Sequence, residues 1–179
     1  MKDVVIRNLK LADYDDVYDL EKQVYNIHYI YRSDIYNDVN SLFPKEFYNS
    51  IIKDNDAINI GIECNKEIVA VLLASIKETN NISIVKKRRF CFIDDIVVDK
   101  SYRRKGFAKR LFEELKLRLK KLNVQDIELV VWPFNKEAIG FYESLGMSVK
   151  NLRYELKTCE DIKTEIMEIK TSQKAKEKQ

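Results

Sequence analysis

The segment 90–122 constrains this chain most. It reads FCFIDDIVV over 90–98, then DKSYRRK, then Gly106, then a helical pattern with Phe107, Leu111, Leu115, Leu119 and Leu122 on one face. A buried strand that turns directly into a helix leaves the first amides of that helix unpaired, beside the positive end of its dipole. Gly106 and the small Ala108 let a ligand approach the backbone, and Arg103, Arg104, Lys105 and Lys109 surround the turn with positive charge. Basic residues suit the C-terminal end of a helix, so this cluster opposes the dipole. Either the turn is simply basic and solvated, or an anionic ligand has set the residue choice; the second reading accounts for the conflict.

The rest of the chain supplies strands and helices for one mixed α/β sheet. Residues 4–8 read as an edge strand, and Asp13 offers an N-cap to a helix with Val17, Leu20 and Val24 on one face. Over 25–36 the periodicity gives way to the aromatic stretch YNIHYIYRSDIY. Pro44 suits the first turn of a second helix with Phe47, Ile51 and Ile52 as its buried stripe. Residues 57–63 and 67–77 form a hairpin across Cys64-Asn65-Lys66. A strand at 127–131, a helix at 136–145 and a last strand or strand pair at 147–156 complete the order. Strand–helix–strand crossovers in the second half imply parallel pairing there, and the first half reads as an antiparallel meander.

The composition limits the function classes. A chain of 179 residues with 45% apolar and 34% charged content is expected to form one soluble domain. Its net charge of +3 dictates no partner, and no nucleic-acid-binding motif accompanies the Lys86–Arg89 run. Cys64, Cys91 and Cys159 lack any CxxC or Cys/His grouping, which argues against a disulfide framework and a metal site and fits a reducing cytoplasm. No apolar run reaches membrane-spanning length, and the N-terminus lacks the apolar core of a signal peptide. Residues 1–157 are expected to form the domain. Residues 158–179 are polar and lysine-rich, a short helix or a disordered extension; Ile162, Ile166 and Ile169 there suit packing or a homodimer contact.

Two motifs carry a resemblance. Arg103-x-x-Gly106-x-Ala108 after a buried strand resembles the acetyl-CoA pyrophosphate motif of the GCN5-related N-acetyltransferase (GNAT) family. Downstream, Asn135, Ala138, Phe141, Tyr142 and Gly146 are similar to that family's Asn-x-x-Ala-x-x-Phe-Tyr-x-x-x-Gly-Phe signature, with Met147 in place of the final Phe. The resemblance covers about residues 4–156. It implies an N-acetyltransferase that uses acetyl-CoA as cosubstrate, with no metal, by direct attack of a primary amine in a ternary complex. It also implies a sheet whose fourth and fifth strands splay apart to hold the pantetheine. The alternative is a degenerate member that binds acyl-CoA as a sensor, which the retained Gly106, Asn135 and Tyr142 disfavour.

Roles follow from the resemblance. Backbone groups of Ile96, Val97 and Val98 would bond the pantetheine, the loop 103–109 including Phe107 would hold the pyrophosphate, and Asn135 would contact the cofactor. Tyr142 would donate a proton to the departing thiolate. Asp94 and Asp95 stand mid-strand, where an unpaired carboxylate is expensive and a raised pKa favours a general base. Strict alternation points them to opposite faces, and Asp94 occupies the family's proton-relay position. A bulge or hydrogen bonds to a neighbouring loop would explain either residue structurally. His28, Tyr29 and Arg32, with Trp132 and Phe134, are the expected acceptor wall for an amine metabolite or peptide, and the aromatic density suits a cation. A structural role for the single histidine stands beside that reading.

Overall fold

Five strands, β1 (Val4–Asn8), β2 (Ala57–Cys64), β3 (Glu67–Glu78), β4 (Arg89–Val98) and β5 (Asp126–Leu129), lie side by side in that order. The first four pair antiparallel, and β4 with β5 is parallel. Parallel strands need a crossover, and α3 (Phe107–Lys121) supplies it. Asn65 and Lys66 both take positive φ, 54° and 71°, so the hairpin closes on two residues in the left-handed region and Cys64 belongs to β2. The computed structural model describes residues 4–79 and 83–158. By spatial clustering the chain forms two units, Met1–Asn135 and Lys136–Gln179.

In the first unit the sheet is covered on both faces. On one, α1 (Tyr14–Tyr31) and α2 (Lys45–Lys53) pack with Leu9, Val17, Leu20, Tyr48, Ile68, Val71 and Val97 in a buried cluster. Alternation leaves Ile60, Ile62, Ala70 and Leu72 for the other, where α3 buries Phe107, Leu111, Phe112, Leu115 and Leu119. Each such side chain contributes about 1.5–3 kcal/mol on leaving water. The apolar stripe of α3 is as its sequence implies, except that Leu122 caps the helix and is exposed.

Three other expectations change. The aromatic stretch does not interrupt α1, which runs on to Tyr31 because Val24, His28 and Tyr31 keep the helical period. On α2, Tyr48 rather than Phe47 enters the core, and its hydroxyl donates to the Lys10 carbonyl at 2.8 Å; Phe47 is exposed. β5 stops at Leu129, and Val130 stands 84% exposed.

In the second unit α4 (Lys136–Ser144) leads into residues 147–157, which form no strand. Leu152, Tyr154 and Leu156 alternate as a strand would, yet they and Val149 are exposed; alternation makes a strand only where an edge pairs with it. The expected extension 158–179 lies outside the described residues beyond Thr158, and with it the proposed helix of Ile162, Ile166 and Ile169.

Candidate active site

β4 and β5 pair only from Phe90↔Asp126 to Ile93↔Leu129, although β4 continues for five more residues against β3. The edge of β4 toward β5 is therefore open from Asp94 to Val98. Asp99 donates its amide to the Val69 carbonyl of β3 at 2.9 Å, in register with Val71↔Val97. Backbone direction alternates along a strand, so Val97 also turns its amide and carbonyl to β3, while Ile96 and Val98 present theirs to the open edge. Of the three backbone candidates, these two can serve a ligand; Val97 instead buries its side chain in the core.

The open edge runs into the phosphate-type loop. After a 3₁₀ turn at Lys100–Tyr102, Arg104 takes φ 62° and Gly106 φ 78°, two left-handed residues flanking Lys105. Such alternation folds successive amides inward into a concavity for an anion. The first α-helical bond of α3 runs from the Arg110 amide to the Gly106 carbonyl at 3.0 Å, so the amides of Phe107, Ala108 and Lys109 precede the ladder. A side chain at Gly106 would meet nothing within 4 Å, so the glycine answers to its backbone angle and to open space. Arg103 donates Nε to the Val98 carbonyl at 3.3 Å. Lys105 donates Nζ to the Ser101 carbonyl at 3.0 Å and lies 4.5 Å over the Tyr102 ring. Two of the cations thus brace the turn, while Arg104 and Lys109 are exposed beside it. Freed amides, a left-handed glycine with room above it and an open strand edge suit a long anionic ligand.

The loop is tied to α1. Gln23 donates Nε2 to Asp99 at 2.8 Å and accepts from the Lys100 amide at 3.1 Å. Asp99 also accepts from the Ser101 amide at 2.8 Å, and the Ser101 hydroxyl, then Gln23 and this amide, hold its carboxyl below the usual range against the opposing effect of burial.

Asp94 and Asp95 do not face opposite sides. β4 carries a bulge opposite the Leu73/Ala74 step, with Ile93 paired to Ala74, Asp95 to Leu73 and Asp94 left over. A bulge repeats one side of the sheet instead of alternating. Asp94 accordingly accepts from the Ser75 hydroxyl at 3.2 Å, and the Lys77 ammonium lies 3.9 Å away, both on the Leu73 side that Asp95 also occupies. Asp94 is exposed and Asp95 half-buried. Burial, with the nearby Asp94 charge, pushes the Asp95 carboxyl up to about 6.

Sequence reading overlooked Glu21. It follows Val17 by four residues and precedes Val24 by three, so it lies on the buried stripe of α1. Its Oε1 is buried with no hydrogen-bond partner among the described residues, and burial, then the Asp95 charge, raises its carboxyl well above the ordinary range. The signal was available: a carboxylate at an apolar helix position.

Farther along α1 the expected acceptor residues do come together. His28 stacks on Tyr36 with centroids 5.3 Å apart and meets Phe134 edge-on at 5.9 Å. Tyr31 stacks on Phe134 at 4.6 Å, and Trp132 on Phe134 at 6.0 Å. Trp132 donates Nε1 to the Tyr36 hydroxyl at 3.2 Å. The Arg32 guanidinium sits 4.5 Å over the Trp132 ring and bonds Asp34 at 2.9 and 3.0 Å. Tyr29 reaches this group only through Tyr25, on which it stacks at 6.2 Å and which meets Tyr36 edge-on at 6.3 Å. Burial lowers the His28 pKa and favours its neutral ring. Cys91 is fully buried and its thiol is pushed up to about 12, first by burial, so it offers no thiolate nucleophile.

Asn135 closes the segment after β5, donating its amide to the Trp132 carbonyl at 3.0 Å. Tyr142, on α4, packs its ring against Phe141 at 5.4 Å. Among the described residues, no group of three or more His, Cys, Asp or Glu side chains could hold a metal, and no helix is long and apolar enough to cross a membrane.

The model of the acetyltransferase (GNAT) family matches residues 17–147. The fold matches a tetramutant of the BH1408 protein from Bacillus halodurans at TM-score 0.82 and 27% identity, over 86% of this chain and 99% of that one. It also matches the aminoglycoside 6'-N-acetyltransferase AAC(6')-Ih from Acinetobacter baumannii at TM-score 0.66, over 87% and 98% of the two chains; at 15% identity that likeness concerns the fold alone. An L-ornithine N5-acetyltransferase, NATA1, of Arabidopsis thaliana is 40% identical over 67 residues, which span 37% of this chain and only 29% of that protein. With the family model spanning most of its length and a mixed sheet that opens between β4 and β5, this chain belongs to the acetyltransferase (GNAT) family.

Proposed function

We propose that this protein transfers an acetyl group from acetyl-CoA to a primary amine of a small molecule, by direct attack within a ternary complex. One observation carries the reading: the open edge of β4 leads without interruption into the left-handed turn and free amides at the start of α3. The loop 103–109 would receive the pyrophosphate, Asn135 would make a further cofactor contact, and Ile96 and Val98 would hold the pantetheine arm. An amide on that edge would polarise the thioester carbonyl. Acetyl-CoA brings the activated acyl group, and the remaining chemistry is proton management.

The acceptor nitrogen starts as an ammonium and ends as an amide, so it loses two protons. Asp95 is the better placed carboxylate to take the first, being half-buried with its carboxyl pushed up to about 6 by burial, with Asp94 on the same face leading to solvent. Tyr142 is proposed, from its place in the family signature, to protonate the thiolate that departs as the carbon–nitrogen bond forms; the second nitrogen proton balances that donation. The aromatic group of His28, Tyr31, Tyr36, Trp132 and Phe134 suits one wall of an acceptor site for an amphipathic cation. The similar segment of a protein named for acetylating L-ornithine supports a small-molecule amine.

The test is an acceptor screen read by thiol release from acetyl-CoA, with ornithine, polyamines, aminoglycosides, amino acids and peptides side by side. Turnover with at least one small amine, at least ten-fold reduced in Tyr142→Phe with acetyl-CoA affinity retained, is the expected result. Failure to bind acetyl-CoA would end the proposal.

A further inference from the structure

We propose that Glu21 and Asp95 act as one carboxyl pair that binds the acceptor amine as its ammonium and receives the proton it must lose before attack. The inference rests on the acetyl-transfer reading above and extends it to a residue outside both sequence motifs. Glu21 comes from the inner face of α1 and Asp95 from the bulged part of β4, one residue before the backbone groups that face the open edge. Glu21 Oε1 is buried and has no hydrogen-bond partner among the described residues.

Two partly enclosed carboxyls close enough for the Asp95 charge to act on Glu21 are a poor structural device without a cation, because each disfavours ionisation of the other. The groups around them do not resolve this. Lys77, on β3, lies beside Asp94 at 3.9 Å. Asp94 adds negative charge, and His28, two turns on along α1, is driven toward its neutral form by burial. The missing cation is therefore expected from the ligand. With the Glu21 carboxyl raised well above the ordinary range by burial and by the Asp95 charge, the empty pair can keep a proton. Binding an ammonium would expel that proton to solvent, and a carboxylate of the pair would then take one from nitrogen, freeing the lone pair. The acceptor is thus a basic amine that binds charged, and its affinity should rise with pH through the titration of the pair.

Calorimetric titration with n-butylamine and with 1,4-diaminobutane, in two buffers of different ionisation enthalpy, counts the protons released on binding. It is run with and without bound coenzyme A. The parent should release up to one proton per amine, and Glu21→Gln should bind at least ten-fold more weakly with less than half that release. Glu21→Asp should restore part of both. Asp95→Asn should lose the release as well, which keeps the test independent of any single variant. Equal affinity and equal release in parent and Glu21→Gln would overturn the pair, as would a parent that binds neither amine. Proton-linked binding lost in Glu21→Gln, with no acetyl transfer to any amine, would sustain the pair and refute the acetyl-transfer reading instead.

Discussion

At the scale of single residues the carboxylates of β4 divide by environment, and their variants should divide likewise. Asp95 has a folded pKa raised to about 6. A general base acts ionised, so kcat/KM should climb with pH through that region, and Asp95→Asn should flatten the climb while lowering activity at least ten-fold. Stability should move the other way. A carboxyl raised on folding holds its proton more tightly in the native state, so its contribution is present at low pH and is lost as pH rises through 6. Asp95→Asn should therefore raise neutral-pH stability by about 1–3 kcal/mol, read by urea unfolding. Asp94, exposed beside Ser75 and Lys77, should keep the climb when changed to Asn, but move it to lower pH, because its charge helps to raise the Asp95 carboxyl. Gly106 is a second residue-scale case. Its φ of 78° strains any L side chain, so Gly106→Ala should cost about 1–2 kcal/mol despite the open space around it, with weaker acetyl-CoA binding as the accompanying readout.

At the scale of elements, the entry into α1 depends on one ion-pair network. Arg7 of β1 bonds Asp13 through both terminal nitrogens at 2.7 and 2.9 Å and reaches Glu63 of β2 through Nε at 2.6 Å. The Lys10 amide donates to Asp13 at 2.7 Å. Burial alone would raise the Asp13 carboxyl, but the bonds from Arg7 and Lys10 outweigh it and the net shift is downward. A depressed carboxyl stabilises the fold above its unfolded pKa and stops doing so as acid protonates it. Asp13→Asn should cost roughly 2–3 kcal/mol at pH 7, and the deficit should shrink below about pH 4, which denaturant curves at several pH values would test.

Much at this scale was legible in the chain itself. The hairpin showed in Cys64-Asn65-Lys66, the α3 stripe in its leucines, and the strand-to-helix turn in Gly106. Other features were not legible because backbone pairing, not residue type, decides them. The bulge that turns Asp94 and Asp95 to one face depends on how β4 registers on β3, and the parting of β4 from β5 leaves no side-chain mark. The continuation of α1 was hidden for another reason: tyrosines crowd several of its faces, so the stripe formed by Val24, His28 and Tyr31 does not stand out.

At the scale of the molecule, the proposed cofactor site lies where several supports of the first unit converge. The loop closes β4, opens α3, and is bound to α1 by Gln23 through Asp99 and Lys100. A ligand seated there binds the native chain and has no comparable site in the unfolded one, so it must shift unfolding by mass action. At one hundred times its dissociation constant, acetyl-CoA should add about 2.7 kcal/mol, a rise in Tm on the order of 8 °C for a unit of this size. Because Arg104 and Lys109 are exposed, their attraction for the phosphates is open to screening, and added salt should reduce the rise. Gly106→Asp places negative charge at the free amides and should abolish the rise, while leaving the protein able to unfold cooperatively. Thermal melts of both proteins, with and without acetyl-CoA at low and high salt, separate these effects. An equal ligand-induced rise in parent and variant would mean that the phosphates sit elsewhere, because no anion could occupy those amides beside the new carboxylate without losing affinity.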